Sequence, residues 1–361
     1  GESGTGPSGR LADAFVTLAE RLEDHGYRTF GVVANHGYLS SFFRLNQGFQ
    51  YWDPRPATEW SSAKYYLRFG LSRRILAGHP GAPHEGHRAF RSADEITREG
   101  LALLDHIGDR EAFFFINYMD AHYPYLPPQP FADLVPGRDP AMDPAVLERK
   151  RRDVMLRGAQ LTEAERAHLI SQYDGGIAYV DSRFGQFLDE LKRRGLYDDA
   201  LIIVTSDHGE AFGERGFIDH GVSVYEDQVN VPLLIKYPAQ EEAAVVSATV
   251  SSVDVVPTVL DVLEIESKAA FPGLSLRGDL SGRPDPVVAE HYPFEVLVKN
   301  DPRHGDVERA LYDGGHKLIR RDGREELYDL NADGAERTDR GALDPERAAG
   351  MSGALNDWLG R

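Results

Sequence analysis

The sequence predicts an α/β protein: a largely parallel central sheet sandwiched by helices, then a small antiparallel β subdomain closed by a helix. Three observations carry this expectation. Strands that are apolar from end to end alternate with helical patterns, as in a parallel sheet covered on both faces. After about Pro284 the composition changes, and short strands separated by Asp-Gly turns take over. The length of 361 residues, 41% of them hydrophobic, supports a large core plus an appendage. The expected domains are therefore residues 1–285 and 286–361.

The elements follow in order. The opening Gly1–Gly9 is linker by composition. Its literal G-x-G-x-x-G at Gly4, Gly6 and Gly9 follows no strand, so it fails as a dinucleotide fingerprint. Leu11, Phe15, Leu18 and Leu22 have helical spacing up to His25, and Gly26 ends that helix ahead of a strand at Thr29–Ala34. Ile96–Ile107 reads as helix and Ala112–Tyr118 as a continuous apolar strand. A Pro- and charge-rich insertion over Gln129–Thr162 reads as a surface excursion. Ala164–Arg194 carries one long helix or two, followed by strand Ala200–Ser206, strand Val231–Tyr237 and helix Val253–Leu263. The closing strands are Val287–His291, Glu308–Tyr312, His316–Arg320 and Glu325–Leu330, with a helix near Pro345–Leu359.

Composition excludes several function classes. A net charge of −18 with no basic run argues against nucleic acid, whose phosphates need clustered Lys and Arg. No cysteine means no disulfide, no thiolate nucleophile and no cysteine-bound zinc. No stretch reaches the ~20 apolar residues of a membrane span, and no signal-like apolar segment opens the chain. A soluble chain is expected, cytoplasmic or exported, with its oligomeric state open.

Ligands gather at the carboxyl ends of strands in open parallel sheets, and two clusters fall there. Met119-Asp120-Ala121-His122-Tyr123-Pro124-Tyr125 follows one strand. Asp207-His208-Gly209-Glu210 follows another, with His220-Gly221 a short loop later. Singly, Asp207 is explained as a helix cap and a lone histidine as a structural residue. Together, at two strand ends, they favour a site in which Asp207, His208, His122 and His220 converge. One carboxylate and one imidazole suit a divalent cation of mixed hardness, provided Gly209 lets the backbone turn. Two ligands are too few for a shell.

Longer motifs make a resemblance specific. Tyr173-Asp-Gly-Gly-Ile-Ala-Tyr-Val-Asp181, Gly195 to Glu210 and His220 to Ile235 closely resemble the sulfatase family of the alkaline phosphatase superfamily. Asp120 to Tyr125 resembles its D-x-H-x-P-Y element, and Thr17 to Thr29 its T-L-A-E helix. His316-Lys-Leu-Ile319 and Glu326-Leu-Tyr-Asp-Leu330 resemble its closing strands. The resemblance implies an alkaline phosphatase-like fold and hydrolysis of sulfate, phosphate or phosphonate esters on one divalent ion. Calcium leads, ahead of manganese, magnesium or zinc. Asp207 and His208 match metal ligands, while His122 and His220 match groups that contact the ester oxygens.

The chain also departs from that pattern. The family's first acidic pair and its C/S-x-P-S-R nucleophile segment are not recognisable. Thr5-Gly-Pro-Ser-Gly-Arg10 only echoes the latter, which leaves Thr5 and Ser8 as remote nucleophile candidates. The chain is therefore expected to be incomplete at its start and inactive as it stands. Three rival readings remain: a non-catalytic binding remnant, a two-metal phosphodiesterase, and a phosphoglycerol or phosphoethanolamine transferase. The small-molecule ester partner is expected to be a monoanion, because histidines stand where fixed cations would be needed for a dianion.

Overall fold

In a computed structural model, residues 9–57, 90–267, 269–278, 280 and 286–360 are described. Thr5, Ser8, Gly4, Gly6 and the 285/286 boundary lie outside or at the margin of these. The chain divides into two compact units, Gly1–Pro144 with Ala167–Tyr197, and Ala145–Arg166 with Asp198–Arg361.

The first unit is built on a parallel sheet. Helix α1 (Leu18–Asp24) is followed by strand β1 (Arg28–Val33), short helix α2 (His36–Leu39) and strand β2 (Tyr51–Asp53). Helix α3 (Ala93–Leu103) then leads to strand β3 (Ala112–Asn117). The order is β2-β1-β3, both pairings parallel. Helix α1 starts later than the spacing from Leu11 suggested. Thr17 accepts from the Glu20 amide while the Glu20 carboxylate accepts from the Thr17 amide. This reciprocal cap fixes the first turn at Leu18, and Phe15 and Val16 remain exposed. Ser92 and Glu95 cap α3 in the same way. The core of this unit gathers Phe30, Val32, Ala34, Ile96 and Leu103 around the sheet. Strand β2 escaped the sequence reading because three residues carry no periodicity.

The second unit begins with helix α4 (Pro144–Arg157), which occupies much of the expected surface excursion and buries Leu147 and Val154. Helix α5 (Glu163–Arg193) is a single helix of 31 residues, which from Ala167 onward belongs to the first unit. Strands β4 (Ile202–Thr205), β5 (Ala211–Phe212) and β6 (Ile218–Asp219) precede helix α6 (Glu226–Val229), strand β7 (Leu233–Lys236) and helix α7 (Val255–Val262). Strands β4 and β7 pair antiparallel, as do β5 and β6. Among the described residues the parallel ladder is thus confined to β2-β1-β3. An apolar run announces a strand but carries no information on its direction.

The closing subdomain matches its expected elements to within a residue. Strands β8 (Val287–His291), β9 (Glu308–Asp313), β10 (His316–Arg321) and β11 (Arg324–Asp329) form an antiparallel sheet in the order β11-β10-β9-β8. Short helix α8 (Glu295–Val298) intervenes, and helix α9 (Pro345–Leu359) closes the chain. The Asp322-Gly323 turn has both residues at positive φ, 42° and 76°, as a tight hairpin between right-twisted strands requires. Leu311, Leu318 and Leu327 on one face pack against Met351 and Leu355 of α9.

Candidate active site

The cluster after β3 lies in the first unit. The His122 amide donates to the Met119 carbonyl at 3.0 Å, folding Asp120 and His122 into one turn. His122 Nδ1 lies 2.7 Å from the Tyr123 carbonyl, which assigns the ring proton to Nδ1 and turns Nε2 into an acceptor when the ring is neutral. The Phe90 ring meets it edge-on at 5.1 Å. Helix α5 presses against this turn without side chains in between. A Cβ on Gly176 would lie 2.4 Å from the Asp120 carbonyl oxygen, and one on Gly175 2.7 Å from that of Phe131. That close approach is why the Tyr173-Asp-Gly-Gly run needs its glycines. Tyr125 is buried edge-on to Tyr173, at 5.7 Å.

The second cluster follows β4 and lies in the second unit. The Asp207 side chain is 86% exposed, and its Oδ1 lies 3.7 Å from His208 Nε2. His208 Nδ1 lies 2.8 Å from the Gly209 carbonyl, so this ring also presents Nε2. Ser206 Oγ donates to the His208 carbonyl at 2.7 Å and tightens the turn. Gly209 is not in the left-handed region, contrary to the expectation that it supplies a sharp turn. What its position demands is room, since a Cβ there would lie 2.3 Å from the Asp227 carbonyl oxygen.

His220 stacks on His208 with ring centroids 3.6 Å apart and planes inclined by 19°. Its Nδ1 lies 3.0 Å from Glu210 Oε1, a carboxylate whose side chain is 3% exposed. Burial works against the charged ring. The Glu210 hydrogen bond and the charges of Glu210, Asp219 and Asp207 outweigh it, holding the His220 pKa above its ordinary value. Asp219 sits at φ 67°, buried, with Oδ2 paired to Arg151 from α4 and Oδ1 without a hydrogen-bond partner. Burial raises the Asp219 carboxyl to about 6, with Arg151 opposing and Glu210 assisting.

The structure therefore gathers Asp207, His208 and His220 within one unit, while His122 has its own setting in the other. Sequence reasoning quoted Glu210 without a role and missed Arg151 and Asp219. Arg151 lies in a charge-rich insertion where nothing in the spacing distinguishes it from its basic neighbours. For a divalent cation the test is the donor set. Asp207 Oδ1 and His208 Nε2, 3.7 Å apart, can both reach one ion at about 2.0–2.4 Å each. Nδ1 of His208 is anchored on a carbonyl, as metal-bound histidines usually are. The pair fits one edge of a coordination shell. Among the described residues no group of three or more His, Asp or Glu side chains is placed to hold a metal.

A parallel sheet flanked by helices, joined to an antiparallel sheet and helix, defines the alkaline phosphatase-like class of hydrolase fold. Within that class the chain belongs to the sulfatase family, whose profile matches residues 2–265. A second match, to the family described as N-sulphoglucosamine sulphohydrolase, C-terminal, covers residues 213–348. A multifunctional alkaline phosphatase superfamily protein, PehA, of Trinickia caryophylli is 28% identical over 244 residues, covering 60% of this chain and 47% of that protein. A choline-sulfatase of Rhizobium meliloti is 32% identical over 175 residues, 46% of this chain and 32% of its own. Arylsulfatase K of Bos taurus is 30% identical over 213 residues, 55% of this chain and 38% of its own. The matches thus span less than half the length of these relatives. Among solved structures, the phosphonate monoester hydrolase of Agrobacterium radiobacter superposes with a TM-score of 0.69 at 22% identity, covering 98% of this chain and 81% of that one. The corresponding enzyme of Silicibacter pomeroyi gives 0.71 at 21%, covering 99% and 81%. These structural likenesses concern the fold. Among the described residues no helix is long and apolar enough to cross a membrane.

Proposed function

We propose that this chain carries the active-site framework of a metal-assisted hydrolase of sulfate or phosphonate esters. The observation that carries the reading is the stacked pair of His208, after β4, and His220, after β6. Both are anchored through Nδ1 and present Nε2, with Asp207 Oδ1 3.7 Å from His208 Nε2. Relatives named as choline-sulfatase and arylsulfatase, and neighbours named as phosphonate monoester hydrolases, support the substrate class. In this reading Asp207 and His208 supply two ligands to a divalent cation, calcium first. Such an ion would act as Lewis acid toward an ester oxygen. The protein's own groups do the rest. His220 offers Nε2 toward the anion while Glu210 holds its other nitrogen. Glu210 balances any charge that His220 gains, so the pair offers a donor without net positive charge. That favours a monoanionic sulfate or phosphonate ester over a phosphate monoester dianion.

Two measurements test this. Calorimetric titration with calcium and manganese should show binding that weakens at least about tenfold in Asp207→Ala and in His208→Ala, a loss typical of a disturbed metal site. Binding indifferent to both substitutions would refute the metal reading and favour a non-catalytic module. For substrate class, in a protein that includes the family's nucleophile segment, kcat/KM for 4-nitrophenyl sulfate and a phenyl phosphonate ester should exceed that for 4-nitrophenyl phosphate. A phosphate preference beyond about tenfold, some 1.4 kcal/mol in the transition state, would overturn the ranking.

A further inference from the structure

Antiparallel sheets with one face on a core usually turn alternate, polar residues to water. The C-terminal sheet does not. Leu311, Leu318 and Leu327 face α9. The intervening residues Ala310, Ile319 and Tyr328 pack against Val224 and Tyr225 from the segment that follows His220. By strand alternation, Glu308, Tyr312, Lys317, Arg321 and Glu326 share that second face. Two of them are buried outright. Lys317 and Glu308 are 0% and 2% exposed.

Four of these residues, Lys317, Tyr312, Glu308 and Glu326, hold the loop that carries the site. Lys317 Nζ lies 2.8 Å from Glu226 Oε1 and 2.7 Å from Glu336 Oε1. The Tyr312 hydroxyl donates to the same Glu226 oxygen at 2.7 Å, and Glu336 Oε2 accepts from the Glu226 amide at 2.7 Å. Glu308 Oε2 accepts from the Val224 amide at 3.1 Å, and the Tyr225 hydroxyl donates to Glu326 Oε2 at 2.7 Å. Glu226 opens α6, and α6 in turn grips both histidine segments. The Gly209 amide donates to the Gln228 carbonyl at 2.8 Å, and the Val222 amide to Gln228 Oε1 at 3.0 Å. Gly209 follows His208, and Val222 lies two residues beyond His220.

We propose that the polar face of the C-terminal sheet is the positioning surface of this site, and that Lys317, acting through Glu226 and α6, is a positioning residue for Asp207, His208 and His220. The placement of a fully buried Lys between two carboxylates supports this over a stabilising role alone. A buried ion pair is a poor source of stability, because apolar residues of similar volume serve as well or better, but its fixed geometry locates what it touches. The proposal rests on Asp207, His208 and His220 being the site, and its test can fail separately from that reading.

The test compares Lys317→Met with Leu318→Ala, a core truncation on the opposite face of the same strand that destabilises without touching the loop. Both are studied under conditions where they are folded. In the 15N spectrum of the histidine side chains, Lys317→Met should shift or broaden the His208 and His220 signals, and Leu318→Ala should leave them in place. Amide exchange at Gly209 and Val222 should be at least about tenfold faster in Lys317→Met than in Leu318→Ala, the size of losing one ordinary hydrogen bond. Manganese affinity should fall with Lys317→Met alone. If the two variants behave alike, or if Lys317→Met leaves the histidine signals unmoved, the proposal is wrong. If Lys317→Met does not fold, Glu226→Gln, isosteric and still able to accept from Tyr312, replaces it. It should move the same signals in the same direction, and unmoved signals again overturn the proposal. Absence of manganese binding by the unsubstituted chain would count against the metal reading, while the histidine signals still judge the positioning.

Discussion

The two strand-end clusters are held by different physics. Around His122 the fastening is steric and largely apolar. Gly175 and Gly176 let a helix backbone approach, and Phe90, Tyr125 and Tyr173 close in edge-on. Around His208 and His220 the fastening is ionic, through Glu210, the Asp219–Arg151 pair, and the Lys317–Glu226–Glu336 group. Close packing tolerates almost no added volume, whereas a buried charge network tolerates almost no missing partner. The two clusters should therefore break under opposite kinds of substitution.

The largest expected effect is in the ionic cluster. Lys317→Met should destabilise the second unit by about 3–5 kcal/mol, because it removes the buried cation between Glu226 and Glu336 and leaves Glu336 only the longer contact to Arg215, at 3.4 Å. Denaturant unfolding checks this, and a loss below about 1 kcal/mol would place the pair among those that contribute little. Next comes the steric cluster. Gly176→Ala should cost about 1–3 kcal/mol, since the new methyl meets the Asp120 carbonyl, which cannot swing aside as a side chain could. The control lies on the same helix. A Cβ on Gly185 meets nothing within 4 Å, so Gly185→Ala should stabilise by about 0.5–1 kcal/mol through helix propensity. If both glycines respond alike, the close-approach account of Gly176 is wrong.

The smallest effect is on pH. Burial raises Asp219 and Asp227 to about 6, and His220 is also raised. A group whose folded pKa is raised contributes stability below its unfolded pKa and loses it as pH rises through the folded value. These three should make the second unit more resistant near pH 5.5 than near pH 7.5, although His291, lowered by burial, runs the other way. In the first unit His168 is lowered by burial, and such a histidine loses stability as pH falls through its ordinary range. Asp174, raised by burial, opposes it there. Hydrogen exchange at the two pH values, corrected for intrinsic rates, should show protection falling toward pH 7.5 in the second unit and changing less in the first. The reverse order would show that the carboxyls of the second unit are not held as described.

The candidate residues stood out in the sequence itself. Asp120, His122, Asp207, His208 and His220 announced themselves because each stands directly after an apolar strand or within a long family motif. The glycine pair in Tyr173-Asp-Gly-Gly was visible as a motif, but its cause needed coordinates. At Gly209 turn freedom was expected, and close approach to the Asp227 carbonyl was found. Period-two alternation in β9–β11 would ordinarily assign Glu308, Lys317 and Glu326 to water. The pattern specifies two faces without saying what covers the second.

By itself, then, the sequence determined what depends on neighbours along the chain. This includes most of the longer strands and helices, the Asp-Gly turns and the family motifs. Those features arise from backbone propensity and hydrophobic period, which act over a few residues. The tertiary structure alone decided which carboxylate meets which cation, as with Glu210 and His220, Arg151 and Asp219, or Lys317 with Glu226 and Glu336. Lys317 and Glu226 are 91 residues apart. A charge signals only that it needs a partner when buried, and close approach in space, not position along the chain, supplies one.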